Sequence, residues 1–342
     1  MMMIEVSAGI IRIRRDDSRI LVCQRGEGRR NAHLWEFPGG KREAGESAAD
    51  CLRRELLEEL SLPVDGLREV CTDVAQGIRF TFLEGIALGE PVRTEHEALR
   101  FVHPREMLSL PFCPADEPVA RWLALQNPPL TAFFWDYDGT LVDSYPAMVR
   151  FLARAAERLG ISVSESEAIE LMKHSLPHAI SILCRGDADM EARLMAAFRE
   201  EETRMTPADT PLLPGIREAF DALSVPGARH FLVTHNSRRA LDTLKAHGLL
   251  DFFTDWVTRE NAFPRKPDPT AILALMRRHG VQPEEAVMIG DRPLDMEAGS
   301  TAGILTCLLD TDGRFADIPC ALRASRAGEL PALLAPKKPV IG

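Results

Sequence analysis

The chain has 342 residues, which is enough for two domains with separate cores. Its hydrophobic content of 45% and charged content of 27% are those of an ordinary globular protein, and a net charge of −10 argues against binding to nucleic acid polymers. No stretch approaches the roughly eighteen apolar residues of a membrane-spanning helix, and residues 1–13 alternate like a strand rather than a signal peptide. Seven scattered cysteines without a C-x-x-C pair indicate reduced thiols in a cytoplasmic protein.

Two apolar segments at 6–13 and 20–24, separated by a polar stretch, predict neighbouring strands of an antiparallel sheet. A basic, turn-rich loop at 25–31 follows. After it, Trp35 and Phe37 stand just ahead of a Gly-Gly pair.

The stretch 47–60 predicts a helix with Ser47 as its N-cap and Asp50 as a capping partner. At about 100° per residue, its side chains separate into two faces. The apolar face holds Ala49, Leu52, Leu56 and Leu60. The neighbouring face holds Glu55, Glu58 and Glu59.

Three glutamates on one side of a helix repel one another and need a positive partner. A solvated acidic helix face is one interpretation of this pattern. The other is a cation site, because Mg²⁺ is held by carboxylates together with waters and substrate phosphates.

The pattern that runs from Gly40 through Glu46 to residues 54–59 resembles the Nudix box of hydrolases that cleave nucleoside-diphosphate linkages. It consists of Gly, five residues, Glu, seven residues and then Arg-Glu-Leu-x-Glu-Glu. One position departs, because the family has Gly where this chain has Ser61. In the left-handed turn that ends a helix, Ser would cost about 1 kcal/mol relative to Gly.

The first half is most similar to the MutT branch of that family, whose members hydrolyse 8-oxo-dGTP to the monophosphate. This resemblance implies metal ligands at the Gly39 carbonyl, Glu55, Glu58, Glu59 and Glu95. The glutamates would share the roles of ligand and general base, with Glu55 and Glu58 as the candidate catalytic pair and Glu97 as a rival to Glu95.

The same resemblance implies a nucleotide pocket. Its candidate residues are Arg25, Trp35, Phe37, Arg79 and Asp116. Core packing is the alternative role for Trp35 and Phe37. The family has Asn at the position of Asp116, and an ionised carboxylate only accepts hydrogen bonds whereas an amide also donates them. Purine binding stays possible with this change.

A Pro pair within 126–129 ends the preceding helix and favours an extended connection. The sequence therefore predicts a first domain at 1–126, a linker at 127–130 and a second domain at 131–335.

Three short apolar runs in the second half each end in a polar cluster. The runs are 133–135, 231–233 and 286–289. Their alternation with helical stretches predicts a buried parallel sheet, in which ligands bind beyond the carboxyl ends of the strands. A further cluster at 265–269 places Asp268 where it can cap a helix starting at Pro269.

In order, these four clusters resemble the motifs of the haloacid dehalogenase superfamily. The D-x-D-G-T-L-V-D-S and K-P-D-P forms are most similar to its phosphoglycolate phosphatase and phosphomutase branch. The resemblance implies a Rossmann-like fold with a helical cap inserted at about 146–211. A cap of this kind determines specificity, so Lys173, His174 and Arg185 are candidates for substrate contact, with an ordinary surface position as the alternative.

By the same resemblance, Asp136 attacks phosphorus to form an aspartyl-phosphate, and Asp138 protonates the leaving group and then activates water. Thr234 and Lys266 would hold the phosphoryl oxygens, and Asn236 would contact the substrate. Mg²⁺, or alternatively Mn²⁺, would be held by Asp136, the backbone carbonyl of Asp138, Asp291 and Asp295.

The sequence thus predicts an α/β protein with two domains, a mixed-sheet Nudix α/β/α fold followed by a Rossmann-like fold with a helical cap. The predicted function is a bifunctional Mg²⁺-dependent hydrolase. One site would cleave a nucleoside triphosphate such as 8-oxo-dGTP to monophosphate and pyrophosphate. The other would hydrolyse a phosphate monoester, either that nucleotide product or an unrelated phosphoglycolate or sugar phosphate.

A non-catalytic, nucleotide-sensing Nudix half is a further alternative, and the retention of all three helix glutamates argues against it. The predicted partners are small phosphorylated molecules, with no nucleic acid polymer and no membrane. The sequence leaves the oligomeric state open.

Overall fold

The computed structural model describes residues 3–75, 77–126 and 128–337, without the side chains of Lys173 and His174. The chain separates into two units, with the division after Pro129 and the second unit running from Leu130 to Pro331. Each unit is built around its own sheet. In the described ranges, no helix is long and apolar enough to cross a membrane.

The first unit contains seven strands and two α-helices within its described residues. They are β1 (Ile4–Arg12), β2 (Ile20–Gln24), β3 (Trp35–Glu36), β4 (Gly39–Lys41), α1 (Ala48–Leu60), β5 (Val64–Ala75), β6 (Ile78–Ala87), β7 (Ala98–Val102) and α2 (Glu117–Ala124). The sheet has the order β3-β2-β1-β6-β5, with β4 also paired to β1 and β7 to β2. Only β1 and β6 among these described strands pair in parallel, so the sheet is mixed, as predicted.

One helix packs on each face of this sheet. On one face, Leu52, Leu56 and Leu60 of α1 are buried against side chains of β1, β2 and β6. On the other face, Val119 and Ala120 of α2 join the core around β1 and β3. The predicted α/β/α arrangement is therefore confirmed.

The ends of α1 explain two features of its sequence. Ser47 caps the helix, because its hydroxyl accepts a hydrogen bond from the backbone N–H of Asp50 at 3.1 Å. The carboxylate of Asp50 accepts from that hydroxyl at 2.6 Å rather than from the backbone N–H of Ser47. At the other end, Ser61 adopts the left-handed conformation with φ 49°, where the related family has Gly.

The second unit alternates strands and helices. They are β8 (Ala132–Trp135), α3 (Tyr145–Arg158), α4 (Glu165–His174), α5 (Leu176–Leu183), α6 (Ala188–Glu202), α7 (Ile216–Leu223), β9 (Arg229–Val233), α8 (Arg239–Ala246), β10 (Phe253–Val257), α9 (Thr270–His279), β11 (Ala286–Gly290), α10 (Pro293–Thr301), β12 (Leu305–Leu309) and β13 (Leu322–Ala324). A last helix, α11 (Leu330–Leu334), follows in the chain. Asp268, the predicted cap of α9, accepts a hydrogen bond from the backbone N–H of Thr270. Helix α9 begins at Thr270, one residue later than predicted.

All the described strands of this second sheet pair in parallel, in the order β10-β9-β8-β11-β12-β13. Helices α9 and α10 cover one face through side chains such as Ile272, Leu275 and Ala298. The ring of Trp135 in β8 stacks on Phe220 of α7, with ring centroids 4.8 Å apart. The continuous apolar runs of the sequence are therefore strands buried in a parallel sheet, as predicted.

Helices α3 to α6 form a separate helical layer, here called the cap. Their apolar side chains make a core of their own, with Leu152, Leu194 and Phe198 almost fully buried. The two connections to the sheet domain run side by side, because the N–H of Asp143 donates to the carbonyl of Pro211 at 2.9 Å. The bounds 146–211 for the cap and 131–335 for the second domain stay predictions.

The predicted linker at 127–130 begins at Asn127, which lies outside the described residues. The prediction of an extended connection at the Pro pair is wrong. Gln126 and Pro129 instead face each other in an isolated antiparallel bridge.

Candidate active sites

The first candidate site is a cavity of about 670 Å³ between α1, β4 and β6. Glu55 enters it from α1 and packs directly on Gly40. A Cβ at Gly40 would lie 2.2 Å from the Glu55 carboxyl carbon, so only glycine leaves room for this carboxylate. Gly39 is constrained too, because its φ is 151° and a Cβ there would lie 2.0 Å from the Ser7 carbonyl oxygen. The Gly-Gly pair thus allows the acidic helix face to approach the sheet.

Arg54 holds the carboxylates of this loop and helix in place. Its guanidinium donates to both oxygens of Glu46, at 3.0 and 3.1 Å, and to the Lys41 carbonyl at 3.0 Å. The same group donates to Glu55 at 2.9 Å and to Glu58 at 3.1 Å. Each of these contacts is made within the protein, so Arg54 and Glu46 orient the loop and the helix carboxylates.

The carboxylates inside this site are crowded. Burial raises the pKa of Glu59 to about 7. Three neighbouring carboxylates add to that rise: Glu55, Glu36 and Glu95. The Nε2 atom of His96 lies 3.9 Å from Glu59 and 3.5 Å from Glu36. Glu55, Glu36 and Glu95 each have an arginine partner, whereas Glu59 has only this imidazole among the described residues. Carboxylate oxygens of Glu55 and Glu59 beside the Gly39 carbonyl are the donors that a hard divalent cation prefers, so the donor set fits such an ion.

Asp116 lies in the same cavity and is 6% exposed. One of its carboxyl oxygens accepts a hydrogen bond from the backbone N–H of Phe37 at 3.1 Å. Burial raises the pKa of Asp116 to about 8, and the charge of Glu36 acts in the same direction. Asp116 therefore keeps its proton at neutral pH and can donate a hydrogen bond as well as accept one.

The structure brings most of the predicted residues of the first half to this cavity. Those that line it are Arg25, Phe37, Gly39, Glu55, Glu59 and Asp116. Glu95 lines a smaller adjoining cavity of about 60 Å³ together with Glu59 and Gly39. Arg25 is engaged there in an ion pair with Glu36. Glu95 lies in the loop ahead of β7 and pairs with Arg29.

Three predicted residues lie elsewhere. Glu58 is turned to solvent, with 60% of its side chain exposed against 26% for Glu59, because it lies on the outer side of α1. Trp35 is 6% exposed and packs in the core, which was its alternative role. Arg79 is exposed on the opposite face of β6 from Ile78 and Phe80, which line the cavity, since side chains alternate along a strand.

The second candidate site lies at the carboxyl edge of the parallel sheet. The residues there come from the ends of β8, β9 and β11, from the loop ahead of α9 and from the first turn of α10. They are Asp136, Asp138, Thr234, Asp291, Lys266 and Asp295. Strands of one direction end at one edge, which explains how segments far apart in the chain meet there.

Lys266 is the centre of this site. Its ammonium donates to Asp136 Oδ1 at 2.5 Å and to the Val233 carbonyl at 2.9 Å, and it lies 2.6 Å from Asp295 Oδ1. All three charged side chains are at most 2% exposed. Burial by itself would raise the pKa of Asp136, but the charges of Lys266 and Arg292 hold it below its usual value. Asp136 is therefore ionised at neutral pH.

Asp136, Asp291 and Asp295 can present ligand atoms within 4.8 Å of one another, the one such group of three in the described part of the chain. Asp136 Oδ2 is buried without a hydrogen-bond partner, with only the guanidinium of Arg292 at 3.5 Å. Burial raises the pKa of Asp291 to about 8, and the other two carboxylates add to the rise. A buried, unpartnered carboxylate oxygen beside two further acids fits a hard divalent cation.

Neighbouring residues shape the position of Asp291. A Cβ at Gly139, where φ is 75°, would lie 2.2 Å from Asp291 Oδ2, so glycine is required in this motif. The hydroxyl of Tyr145 donates to the same oxygen at 2.9 Å. The glycine leaves room for this carboxylate and the tyrosine fixes one of its oxygens, in a group whose ligand atoms lie within 4.8 Å of one another.

Asp138 faces a cleft between the sheet domain and the cap. Burial and the charge of Asp136 raise the pKa of Asp138 to about 6. The amide of Asn236 lies 3.4 Å from both of its oxygens, and the Thr234 hydroxyl accepts from the backbone N–H of Asn236 at 3.0 Å. A carboxyl group with a pKa near neutrality can give up and regain a proton during turnover.

Sequence reasoning missed several residues of both sites. Arg292 lies next to Asp291 in the motif, yet nothing in the pattern indicates its 3.5 Å approach to Asp136. Glu36 and His96 each flank a predicted residue, and their charge types were the available signal. The side chains of Lys173 and His174, predicted to contact substrate, lie outside the described part, and Arg185 is not among the residues that line the cleft.

Both halves of the chain match models of known protein families. A family model described as haloacid dehalogenase-like hydrolase matches residues 133–309, and a NUDIX domain model matches residues 3–123. A phosphoglycolate phosphatase of Nitrosospira multiformis is 30% identical over 185 residues, which are 51% of this chain and 81% of the relative. One of Vibrio vulnificus is 31% identical and covers 49% of this chain and 78% of its own length.

Among solved structures, a haloacid dehalogenase-like hydrolase from Bacteroides fragilis matches with a TM-score of 0.53 and 26% identity. The match covers 59% of this chain and 99% of that protein. The second unit therefore matches the fold of that hydrolase over nearly its whole length.

Proposed function

Because the chain belongs to the haloacid dehalogenase-like hydrolases and carries a NUDIX domain, we propose that it is a bifunctional hydrolase that uses a divalent cation, Mg²⁺ or Mn²⁺, at each site. The second site hydrolyses a small phosphate monoester, and the first cleaves the diphosphate linkage of a nucleoside triphosphate. The observation that carries the proposal is Asp136, a buried and ionised carboxylate with one oxygen free of hydrogen bonds.

At the second site, Asp136 supplies the nucleophile. Its oxygen bonds to phosphorus while the bond from phosphorus to the leaving oxygen breaks, and Asp138 gives its proton to that oxygen. Water then attacks the aspartyl-phosphate, Asp138 takes a proton from the water, and inorganic phosphate leaves. Lys266 and Thr234 hold phosphoryl oxygens. A cation held by Asp136, Asp291, Asp295 and the Asp138 carbonyl would neutralise phosphoryl charge.

At the first site, no side chain needs to form a covalent bond, because an activated water can attack the phosphate chain. Glu55, Glu59 and the Gly39 carbonyl would hold the cation, with Glu95 at the adjoining cavity. A cation there would lower the pKa of bound water by several units. Glu59 faces the cavity, so it is also a candidate for the residue that accepts the proton from water.

The preferred base of the nucleotide is a finer part of the proposal. Protonated Asp116 presents the donor and acceptor pair that an amide presents, so replacing the family's Asn by Asp preserves the means of recognising a purine edge such as that of 8-oxo-dGTP. Asp116→Asn is therefore expected to keep kcat/KM for 8-oxo-dGTP at pH 7 within about threefold. Asp116→Leu should lose about 1–2 kcal/mol of transition-state binding. Full retention by Asp116→Leu would contradict base recognition at this residue.

The two activities are proposed to act on unrelated substrates. The curated relatives of the second unit are named phosphoglycolate phosphatases, which supports a small monoester rather than a nucleoside monophosphate. The alternative is action in sequence, in which the monophosphate released by the first site is dephosphorylated by the second. A tether between the sites favours such a sequence, because it raises the effective concentration to about the millimolar range.

Phosphorus NMR of the intact chain with Mg²⁺ and 8-oxo-dGTP tests both parts. We expect pyrophosphate and a monophosphate that accumulates, while added phosphoglycolate is cleaved to inorganic phosphate. Conversion of the monophosphate to inorganic phosphate, dependent on Asp136, would establish action in sequence instead. Nucleotide binding without pyrophosphate release would make the first unit a sensing module, and no phosphate from any monoester would refute the second activity.

A further inference from the structure

The cleft above the second site has a cavity of about 420 Å³ between the cap and the sheet domain. Asp138 and Lys266 lie at its catalytic end. Three arginines from separate segments also line it: Arg199 from α6 of the cap, Arg259 from the turn after β10, and Arg265 just ahead of Lys266. The two faces of the cleft thus both contribute guanidinium groups.

None of these three arginines forms an ion pair within the described part of the chain. In the described ranges, no ion pair or side-chain hydrogen bond joins Arg199, Arg259 or Arg265 to a carboxylate, whereas Arg292 beside them lies 3.5 Å from Asp136. Among the described side chains, the other two cations of the cleft are compensated, because Lys266 lies against Asp136 and Asp295 and Arg292 lies near Asp136 and Asp291. The charge that no described ion pair compensates is therefore that of the three arginines, in a cleft whose lining carboxylates are Asp138 and Glu202.

The guanidinium groups also act on one another. Burial lowers the pKa of Arg265, and the positive charges of Arg292, Arg259 and Arg199 lower it further. Solvated surface arginines are ordinarily spread apart or paired with acids. Like charges gathered on both walls of a cleft destabilise it unless an anion enters between them.

The phosphoryl group of the substrate does not account for these arginines. It is held against Asp136 by Lys266, Thr234 and the cation site at the sheet edge. Arg199 and Arg259 lie in the part of the cleft where the rest of the substrate must extend, since that cavity is continuous with Asp138. A guanidinium binds planar carboxylate and phosphate oxygens with two parallel hydrogen bonds.

We propose that Arg199, Arg259 and Arg265 bind a second anionic group of the substrate, a carboxylate or a phosphate, so that this site selects small phosphate monoesters that are negatively charged at both ends. The inference rests on the proposed phosphatase function. A nucleoside monophosphate carries no second anion, so it leaves the three arginines unpaired. Because Arg199 comes from the cap and the other two from the sheet domain, a bound anion also draws the cap onto the substrate.

Steady-state kinetics with matched substrates test the proposal on the full chain with Mg²⁺. Ethyl phosphate has a neutral tail, phosphoglycolate adds a carboxylate, ethylene glycol bisphosphate adds a phosphate, and dGMP represents the nucleotides. We expect kcat/KM at least about 30-fold higher for a doubly anionic substrate than for ethyl phosphate or dGMP, the scale of a charge-assisted bidentate contact. The better of the two doubly anionic substrates identifies the group that the arginines bind.

Variants locate the selectivity. Arg199→Gln and Arg265→Gln should each lower kcat/KM at least about tenfold more for the doubly anionic substrate than for ethyl phosphate, and Arg265→Lys should restore part of the difference. Arg277→Gln, at an exposed position on α9, is the matched control and should change nothing. Equal losses for all substrates, or a wild-type chain without preference for a second anion, would overturn the proposal.

A binding measurement separates this inference from the proposed activity. If no monoester is cleaved, the phosphatase function fails, but calorimetry still compares phosphoglycolate, ethylene glycol bisphosphate and ethyl phosphate on the Asp136→Asn chain. Tighter binding of a doubly anionic probe that Arg265→Gln abolishes supports the subsite. Equal affinity for the three probes refutes it.

Discussion

The two sites of this chain solve the problem of clustered carboxylates in different ways. In the second site the acids are buried around Lys266, whose ammonium lies 2.5 Å from Asp136 and 2.6 Å from Asp295. In the first site, Glu58 is 60% exposed and Glu59 is 26% exposed. The countercharge of the second site is a buried lysine at its centre, whereas that of the first is supplied from its edge, where Arg54 contacts Glu55 and Glu58. The proposed functions agree with this difference, because a carboxylate that attacks phosphorus must be fixed before the substrate arrives, and carboxylates that hold an ion are ordered by that ion.

The largest expected effect tests whether the sites are independent. Asp136→Asn should lower phosphate release from a monoester by at least about 1000-fold, because an amide cannot serve as the nucleophile. Pyrophosphate release from a nucleoside triphosphate should be unchanged in the same preparation. Asp221→Asn, at an exposed position of α7, is the control. Loss of both activities in a folded Asp136→Asn chain would show that the sites are coupled.

A second prediction compares two glutamates of the first site. Glu59→Gln should lower pyrophosphate release by about 100-fold, since it removes a carboxylate that faces the cavity. Glu58→Gln should lower it by less than about tenfold, since its side chain contacts Arg54 and solvent. Initial rates with saturating Mg²⁺ measure both. The reverse order of the two effects would mean that bound substrate and ion draw Glu58 into the site.

A third prediction concerns the proton on Asp116. The unfolded chain releases this proton from about pH 4 upward, while the folded chain holds it until about pH 8. The stabilising contribution is therefore complete below pH 4 and is lost as the pH rises toward 8. Asp116→Asn should match the wild type in unfolding free energy near pH 4 and exceed it by about 2 kcal/mol or more at pH 8.

Denaturant titration of the first unit's transition, at several pH values, measures that difference. Glu117→Gln, at an exposed neighbouring position, controls for the loss of a charge. If the difference between Asp116→Asn and wild type were independent of pH, Asp116 would be ionised throughout.

The smallest expected effect concerns the end of α1. Ser61 has φ 49°, a conformation that Gly adopts without strain, so Ser61→Gly should stabilise the first unit by about 1 kcal/mol. Differential scanning calorimetry should show a higher Tm for the first unit and the same Tm for the second. A lower Tm for the first unit would mean that the Ser61 side chain makes a stabilising contact that outweighs the strain.

Much of the second site was predictable because local sequence and strand direction together determine where a residue lies. Asp136 and Asp291 each follow an apolar run, and parallel strands place both at one edge of the sheet. For α1, the capping pattern predicted the Ser47 cap and the helical period predicted the apolar face. The orientation of single side chains needed the structure, because it depends on register across the sheet. Arg79 is one example, since one step along β6 places it away from the cavity.

Protonation states were also beyond the sequence. As a residue type, Asp116 was expected to be ionised and to accept hydrogen bonds only. Its burial beside Glu36 reverses that expectation, because a buried carboxyl group near another acid keeps its proton. Burial is a property of the packed chain, and it cannot be obtained from the spacing of residues.

The paired connections at the base of the cap bear on how the second unit folds. Strands β8 and β9 are neighbours in the sheet, although the whole cap lies between them in the chain. Once the cap has formed, the hydrogen bond between Asp143 and Pro211 shortens the loop that must close from roughly 100 to roughly 30 residues, which lowers the entropic cost by about 1 kcal/mol. The cap's own core of local helical contacts can form early, so an insertion that serves specificity would also speed assembly of the sheet beneath it.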